Sequence, residues 1–123
     1  MDPAAERLPY VDVHATEVAA GPEATWEAVE RTAAALPSRG FRVASRRPGR
    51  ELCLSGHHPF SRYALIFHLD EQGPRRTVVR AETRAAFPHL RGRVYRALVI
   101  GTRLHVLATR RLLADVRRRA ERA

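Results

Sequence analysis

The chain has 123 residues, of which 45% are hydrophobic and 28% charged, a composition that is typical of a globular domain and excludes a disordered chain. Its single cysteine, Cys53, excludes an internal disulfide and a multi-cysteine metal site. The net charge of +9 comes from 22 arginines and no lysine, and it favours acidic ligands or anionic surfaces without selecting among them.

We expect a single domain over residues 1–123, with residues 1–9 as a flexible N-terminal segment. This length is enough to bury a core without disulfides or metals. No apolar run is long enough to span a bilayer, and the first residues lack the pattern of a signal peptide, so we expect a cytoplasmic protein.

The N-terminal third of the chain predicts one strand and one helix. Apolar and polar residues alternate over 10–18, which is typical of a strand. Pro22 suits the first turn of a helix, where its missing N–H costs nothing. Apolar residues at helical spacing from Trp26 to Leu36 then predict a helix that ends before Pro37.

Four strand-like segments follow between residues 41 and 84, joined by short turns. One turn contains Pro48 and Gly49, a pair that suits a type II turn because glycine accepts a positive φ. Consecutive strands with such short connections pair as antiparallel hairpins, so the chain predicts an antiparallel sheet of about five strands. One face of the sheet is apolar and the other is rich in arginine, which predicts one covering layer rather than two.

The last third predicts that covering layer. From about His89 to the end there is no proline, and apolar residues recur at helical spacing, which indicates one long C-terminal helix. The predicted inward stripe comprises Leu90, Val94, Leu98, Gly101, His105, Ala108 and Leu112. Arginines recur every seven residues on the opposite face, at Arg96, Arg103, Arg110 and Arg117.

This order of elements is that of the helix-grip fold, an α+β class. The sequence resembles the START and Bet v 1-like superfamily, also called SRPBCC, which includes polyketide cyclase/dehydrase-like proteins. The resemblance rests on the segment from Val11 to Trp26, with Gly-Pro-Glu-Ala-Thr-Trp opening the first helix, and on the glycine Gly101 in the last helix. The resemblance covers the whole chain in order. Members of the superfamily usually have more elements between the first and the last helix, so this chain resembles a shortened member.

The resemblance implies a cleft between the concave sheet face and the terminal helix. Related proteins bind lipids, polyketides or other apolar molecules there, and a minority catalyse cyclisation or dehydration. The residues expected to bind a ligand are Trp26, Tyr63, Phe67, Leu98, Gly101 and His105. Whether the protein is an enzyme stays open, because no catalytic motif is present and the superfamily includes non-enzymes.

His105 is the one candidate for acid–base chemistry, because it interrupts an otherwise apolar stripe. The alternative is a core histidine that is hydrogen-bonded to backbone or to Tyr63. No cofactor is expected, and no metal either, because the adjacent His57 and His58 lack further ligands at suitable spacing.

The arginine face supports an alternative function, a basic module that binds a protein partner, an anionic membrane or nucleic acid. Its surface residues would be Arg96, Arg103 and Arg110. Four apolar residues lie on or beside this face: Val99, Ile100, Val106 and Leu107. They favour a covered surface, such as a homodimer interface through the C-terminal helix or a membrane surface. The aromatic residues are predicted mostly on inner faces, which argues against binding of nucleic acid. The principal partner that we expect is therefore an apolar or acidic small molecule.

Overall fold

The computed structural model describes residues 1–36, 40–58, 61–87, 92–94, 96–97 and 103–122, without the side chains of His58 and Leu104. In chain order the elements are α1 (Pro3–Glu6), β1 (Tyr10–Val18), α2 (Pro22–Ala34), β2 (Arg42–Arg47), β3 (Glu51–His58), β4 (Ser61–Gly73), β5 (Arg76–Ala86) and α3 (Leu104–Arg122). Residues 92–94 and 96–97 are also helical. None of the described helices combines the length and the apolar character needed to cross a membrane.

The five strands form one antiparallel sheet in the order β1-β5-β4-β3-β2. Strands β2 to β5 pair as successive hairpins, and the last strand, β5, also pairs with the first strand, β1. Strands β1 and β2 are therefore the two edges of the sheet. In the β2–β3 turn Gly49 has a φ of 78°, and the Arg50 amide donates to the Arg47 carbonyl at 2.9 Å, as the Pro-Gly pair predicts. The predicted α+β class, five-stranded sheet and helix-grip fold are confirmed.

The main core lies between the inner face of the sheet and the two longer helices. Its fully buried side chains include Val18, Val29, Leu52, Phe67, Val79 and Val116. The second half of α3 contributes Leu113, Val116 and Ala120, whose spacings of three and four place them on one helical face. Each large side chain buried in this way stabilises the fold by about 1.5–3 kcal/mol.

The C-terminal helix begins at Leu104, and the prediction of one continuous helix from about His89 is wrong. Arg103 has a φ of 60°, outside the right-handed helical region, so the helical residues before it do not run on into α3. Arg96 therefore does not share a helix with Arg110. The inward face of α3 also differs from the predicted stripe: Thr109 and Leu113 are buried, whereas Ala108 is exposed.

The outer face of the sheet is also covered, so the prediction of a single covering layer is wrong. The N-terminal segment packs there in a small apolar cluster formed by Met1, Ala5, Leu8, Ala44, Cys53, Ala64 and Ile66. Asp2 caps α1 by accepting a hydrogen bond from the Ala5 amide at 3.2 Å. The flexibility of residues 1–9 stays a prediction, as does the assignment of the whole chain to one domain.

Candidate ligand-binding cavity

A cavity of about 730 Å³ lies between the inner face of the sheet and the first half of α3. Its wall is mainly apolar, with the rings of Phe41, Tyr63 and Phe87 and the aliphatic side chains of Val11, Leu65 and Leu112. Polar side chains in the wall include those of Ser61, Thr83, His105, Thr109, Arg111 and Asp115. Small-molecule sites commonly measure about 300–1,000 Å³ and combine an apolar wall with a few polar groups.

The cavity forms because the two halves of α3 pack differently. The second half is anchored in the core through Leu113 and Val116. The first half faces the far end of β5, where the inward residues are the small Thr83 and Ala85. Small side chains on the sheet leave space beneath the helix that larger ones would fill.

Tyr63 is held rigidly in the cavity wall. Its hydroxyl donates to the Gly40 carbonyl at 2.7 Å, and its ring meets Phe41 edge-on with centroids 5.1 Å apart. Gly56 pairs with Tyr63 in the β3–β4 register and lies directly beneath the ring. The ring therefore has a fixed position, which is what a preformed binding wall requires.

A carboxylate on β1 connects that strand to α3. Asp12 Oδ2 accepts a hydrogen bond from Nε2 of His105 at 2.6 Å and lies 3.2 Å from Nε2 of His14. Within the described part of the chain, Asp12 Oδ1 and His105 Nδ1 are buried without a hydrogen-bond partner. Within α3 the Thr109 hydroxyl donates to the His105 carbonyl at 2.7 Å, so the buried hydroxyl of Thr109 is paired inside its own helix.

A register irregularity in β1 supplies this carboxylate. The β1–β5 pairing slips between Tyr10 and Asp12. Such a bulge re-aims side chains, and Val11 lines the cavity while its neighbour Asp12 bonds to His105. In a regular strand, Val11 and Asp12 would point to opposite faces of the sheet, because successive side chains alternate.

The structure brings together two of the six predicted ligand-binding residues. Tyr63 and His105 both line the cavity. Trp26, 8% exposed, and Phe67, fully buried, belong to the main core and not to the described wall. The other two predicted residues, Leu98 and Gly101, lie outside the described residues.

Sequence reasoning missed Asp12, the partner of His105, and named the backbone or Tyr63 as the alternative partner instead. The sequence carried no signal for Asp12, because alternation in β1 groups it with the polar His14 and Thr16, and only the structure shows that these positions are half-buried whereas Val13 and Ala15 are exposed. Phe41 and Phe87 were also missed as wall residues. Phe41 was assigned to the first residue of a strand and Phe87 lay beyond the last predicted strand, and the structure places each next to a strand end.

The predicted interaction residues are all on the surface. Arg96, Arg103 and Arg110 are exposed. Of the four apolar residues predicted beside them, Leu107 is 50% exposed and Val106 is half-buried, whereas Val99 and Ile100 lie outside the described residues. Binding of a homodimer partner, a membrane surface or nucleic acid by this face stays a prediction. Across the described residues, no three His, Cys, Asp or Glu side chains are grouped to hold a metal ion.

The outer face of the sheet carries a separate ionic network. Glu82 accepts a hydrogen bond from Nε of Arg84, and its other carboxylate oxygen lies 3.0 Å from Nε2 of His68. Burial by itself raises the pKa of Glu82, but the hydrogen bonds from Arg84 and His68 outweigh burial and lower it. Nearby, burial raises the pKa of the Cys53 thiol, which lies under the N-terminal segment. Both groups point away from the cavity.

No family model matches the chain, and no curated protein matches its sequence. Solved structures share its fold. A conserved protein from Geobacillus kaustophilus superposes with a TM-score of 0.56 at 12% identity, over 89% of this chain and 91% of that one. CalU16 from Micromonospora echinospora gives 0.54 at 13% identity, over 89% and 82%. Norcoclaurine synthase from Thalictrum flavum, in complex with dopamine and hydroxybenzaldehyde, gives 0.52 at 12% identity, over 89% and 86%. At such identities these likenesses show a common fold and nothing further.

Proposed function

We propose that the protein binds an apolar or amphipathic small molecule, such as a lipid or a polyketide, in the cavity between the sheet and α3. The observation that carries the proposal is the cavity of about 730 Å³ with a largely apolar wall. A site of this kind gains affinity from burying apolar ligand surface, at about 25 cal/mol per Å². Its few polar groups orient the ligand.

The contacts of Tyr63 support the same function, because they define one position for its ring in the wall before a ligand enters. Tyr63 is bonded to Gly40 and packed edge-on against Phe41. A wall that is ordered before binding loses little conformational entropy when the ligand enters. The exposed Arg111 at the cavity, together with the net charge of +9, favours ligands that carry an acidic group besides an apolar body.

The fold comparisons add support of a different kind. Two proteins with the same fold are norcoclaurine synthase, in complex with dopamine and hydroxybenzaldehyde, and CalU16. The likeness supports membership of the SRPBCC superfamily. That the chain is a shortened member, with a role accessory to lipid or secondary metabolism, is our proposal and rests on no comparison. Enzyme activity is not part of the proposal.

Binding can be tested with Nile red, a neutral dye that fluoresces in apolar surroundings. The informative variant is Ala108→Trp, because Ala108 lines the cavity yet is exposed and outside the main core. We expect the indole to occupy the cavity and weaken dye binding by at least about tenfold, equivalent to roughly 1.4 kcal/mol. The matched control is Ala34→Trp, at an exposed alanine of α2 outside the described wall.

The proposal predicts saturable one-to-one binding by the wild-type protein, unchanged binding by the control, and weak binding by Ala108→Trp. It is wrong if the wild-type protein does not bind the dye, or if both tryptophan variants bind it equally well. Native mass spectrometry of protein purified from its source organism complements this test, because a retained small molecule would give the mass of the natural ligand.

A further inference from the structure

The pair formed by Asp12 and His105 leaves one hydrogen-bonding atom on the imidazole without a partner. Nε2 of His105 lies 2.6 Å from Asp12 Oδ2, and because a carboxylate only accepts, Nε2 carries the hydrogen. In a neutral imidazole the other nitrogen, Nδ1, is then an acceptor. Among the described residues no donor meets this Nδ1.

An acceptor of this kind is costly when it is buried. A buried polar atom without a partner has lost its hydrogen bonds to water and has gained none from the protein. The ring of His105 is oriented by Asp12, whose Oδ2 lies 2.6 Å from Nε2. A histidine in the cavity wall whose acceptor nitrogen is unpaired is suited to a donor that arrives from the cavity.

We infer that His105 accepts a hydrogen bond from a hydroxyl group of the cavity ligand, and that Asp12 is the positioning residue that keeps Nδ1 free to do so. This inference rests on the proposed function and defines the ligand class further, as an apolar molecule that carries a phenolic, enolic or alcoholic O–H. The side chain of His105 is 16% exposed, so the ring can be approached. Nδ1 itself is covered in the ligand-free protein, so a ligand has to displace the side chains that cover it.

The test uses two ligands that differ only at the hydroxyl, β-naphthol and its methyl ether. Both are apolar bicyclic molecules that are small compared with the cavity, and only the first can donate a hydrogen bond. We expect the wild-type protein to bind β-naphthol on the order of tenfold more tightly than the ether, as one well-placed hydrogen bond would provide.

Variants test which residue causes the preference for β-naphthol over its methyl ether. His105→Leu should reduce it to about twofold or less while the ether still binds, because leucine keeps the apolar volume and removes the acceptor. His68→Gln is the matched control on the outer face of the sheet, and should keep the full preference. Asp12→Asn should reduce the preference, because an amide can donate to Nε2 and so move the ring hydrogen to Nδ1.

Nitrogen-15 NMR of the histidine ring separates positioning from a merely structural role. It should show the Nε2–H form of His105 in the wild-type protein and a shift toward the Nδ1–H form in Asp12→Asn. Equal affinity for the two naphthalenes, a preference that persists in His105→Leu, or a ring protonated on both nitrogens would overturn the inference while leaving the cavity proposal intact. If neither naphthalene nor Nile red binds, the proposed function itself fails.

Discussion

Replacing Gly56 by alanine is the most direct test of how the sheet builds the cavity wall. An added Cβ would overlap the carbonyl oxygen of Gly40 and lie 2.5 Å from Cε2 of the Tyr63 ring. Gly40 and Tyr63 are joined by a hydrogen bond of 2.7 Å. One methyl group therefore has to displace both, and the Gly40 contact is with backbone, which cannot rotate away.

The magnitude follows from these two contacts. Overpacking of this kind costs about 1–3 kcal/mol, and loss of the Tyr63–Gly40 hydrogen bond costs about 1 kcal/mol more. We expect Gly56→Ala to lower the free energy of unfolding by about 3 kcal/mol, a large part of the roughly 5–15 kcal/mol that holds a typical domain folded. Because Tyr63 lines the cavity, Nile red affinity should also fall.

Urea denaturation followed by tryptophan fluorescence measures this change, since the single Trp26 is buried in the core. With a slope of about 1–3 kcal/mol per molar urea, the midpoint should fall by roughly 1–3 M. Gly73→Ala is the control, because a Cβ there meets nothing within 4 Å, and its stability should be unchanged or slightly higher. Equal stability of Gly56→Ala and the wild-type protein would refute the close approach of Gly56 to Tyr63.

Three further predictions concern residues outside the cavity wall. Phe67→Ala should cost about 3–5 kcal/mol in a urea titration, because Phe67 is fully buried in the main core; a loss below about 1 kcal/mol would contradict that placement. Glu82→Gln should lower the free energy of unfolding by about 1 kcal/mol at pH 7 and by less at pH 3. A carboxylate whose pKa is lowered by folding stabilises the protein above its unfolded-state value of about 4.3 and loses that effect as the pH falls through its folded-state pKa. A penalty that is as large in acid as at neutral pH would argue against an ionised, hydrogen-bonded Glu82. Cys53 should react with a disulfide reagent at pH 8 far more slowly in the native protein than in urea, because the thiol is buried and its pKa is raised; equal rates would mean that the N-terminal segment leaves it accessible.

The local features of this fold were predictable from the sequence because they depend on near neighbours. Alternation over 10–18 predicted β1, Pro22 marked the start of α2, and Gly49 supplied the positive φ of the β2–β3 turn. Short connections then required antiparallel pairing. The apolar spacing of the last third likewise predicted a terminal helix, although it could not show that the chain turns at Arg103 before α3 begins.

The tertiary structure alone decided which side chains meet. Asp12 and His105 are 93 positions apart, and their hydrogen bond depends on a register irregularity in β1 and on the packing of α3 against that strand. Whether an apolar residue fills the core or lines a cavity also depends on distant parts of the chain. Phe67 and Tyr63 lie on the same face of β4, yet Phe67 is packed in the main core and Tyr63 lines the cavity beneath the first half of α3. Periodicity reports the face on which a residue lies, and the packing of distant elements determines what that face touches.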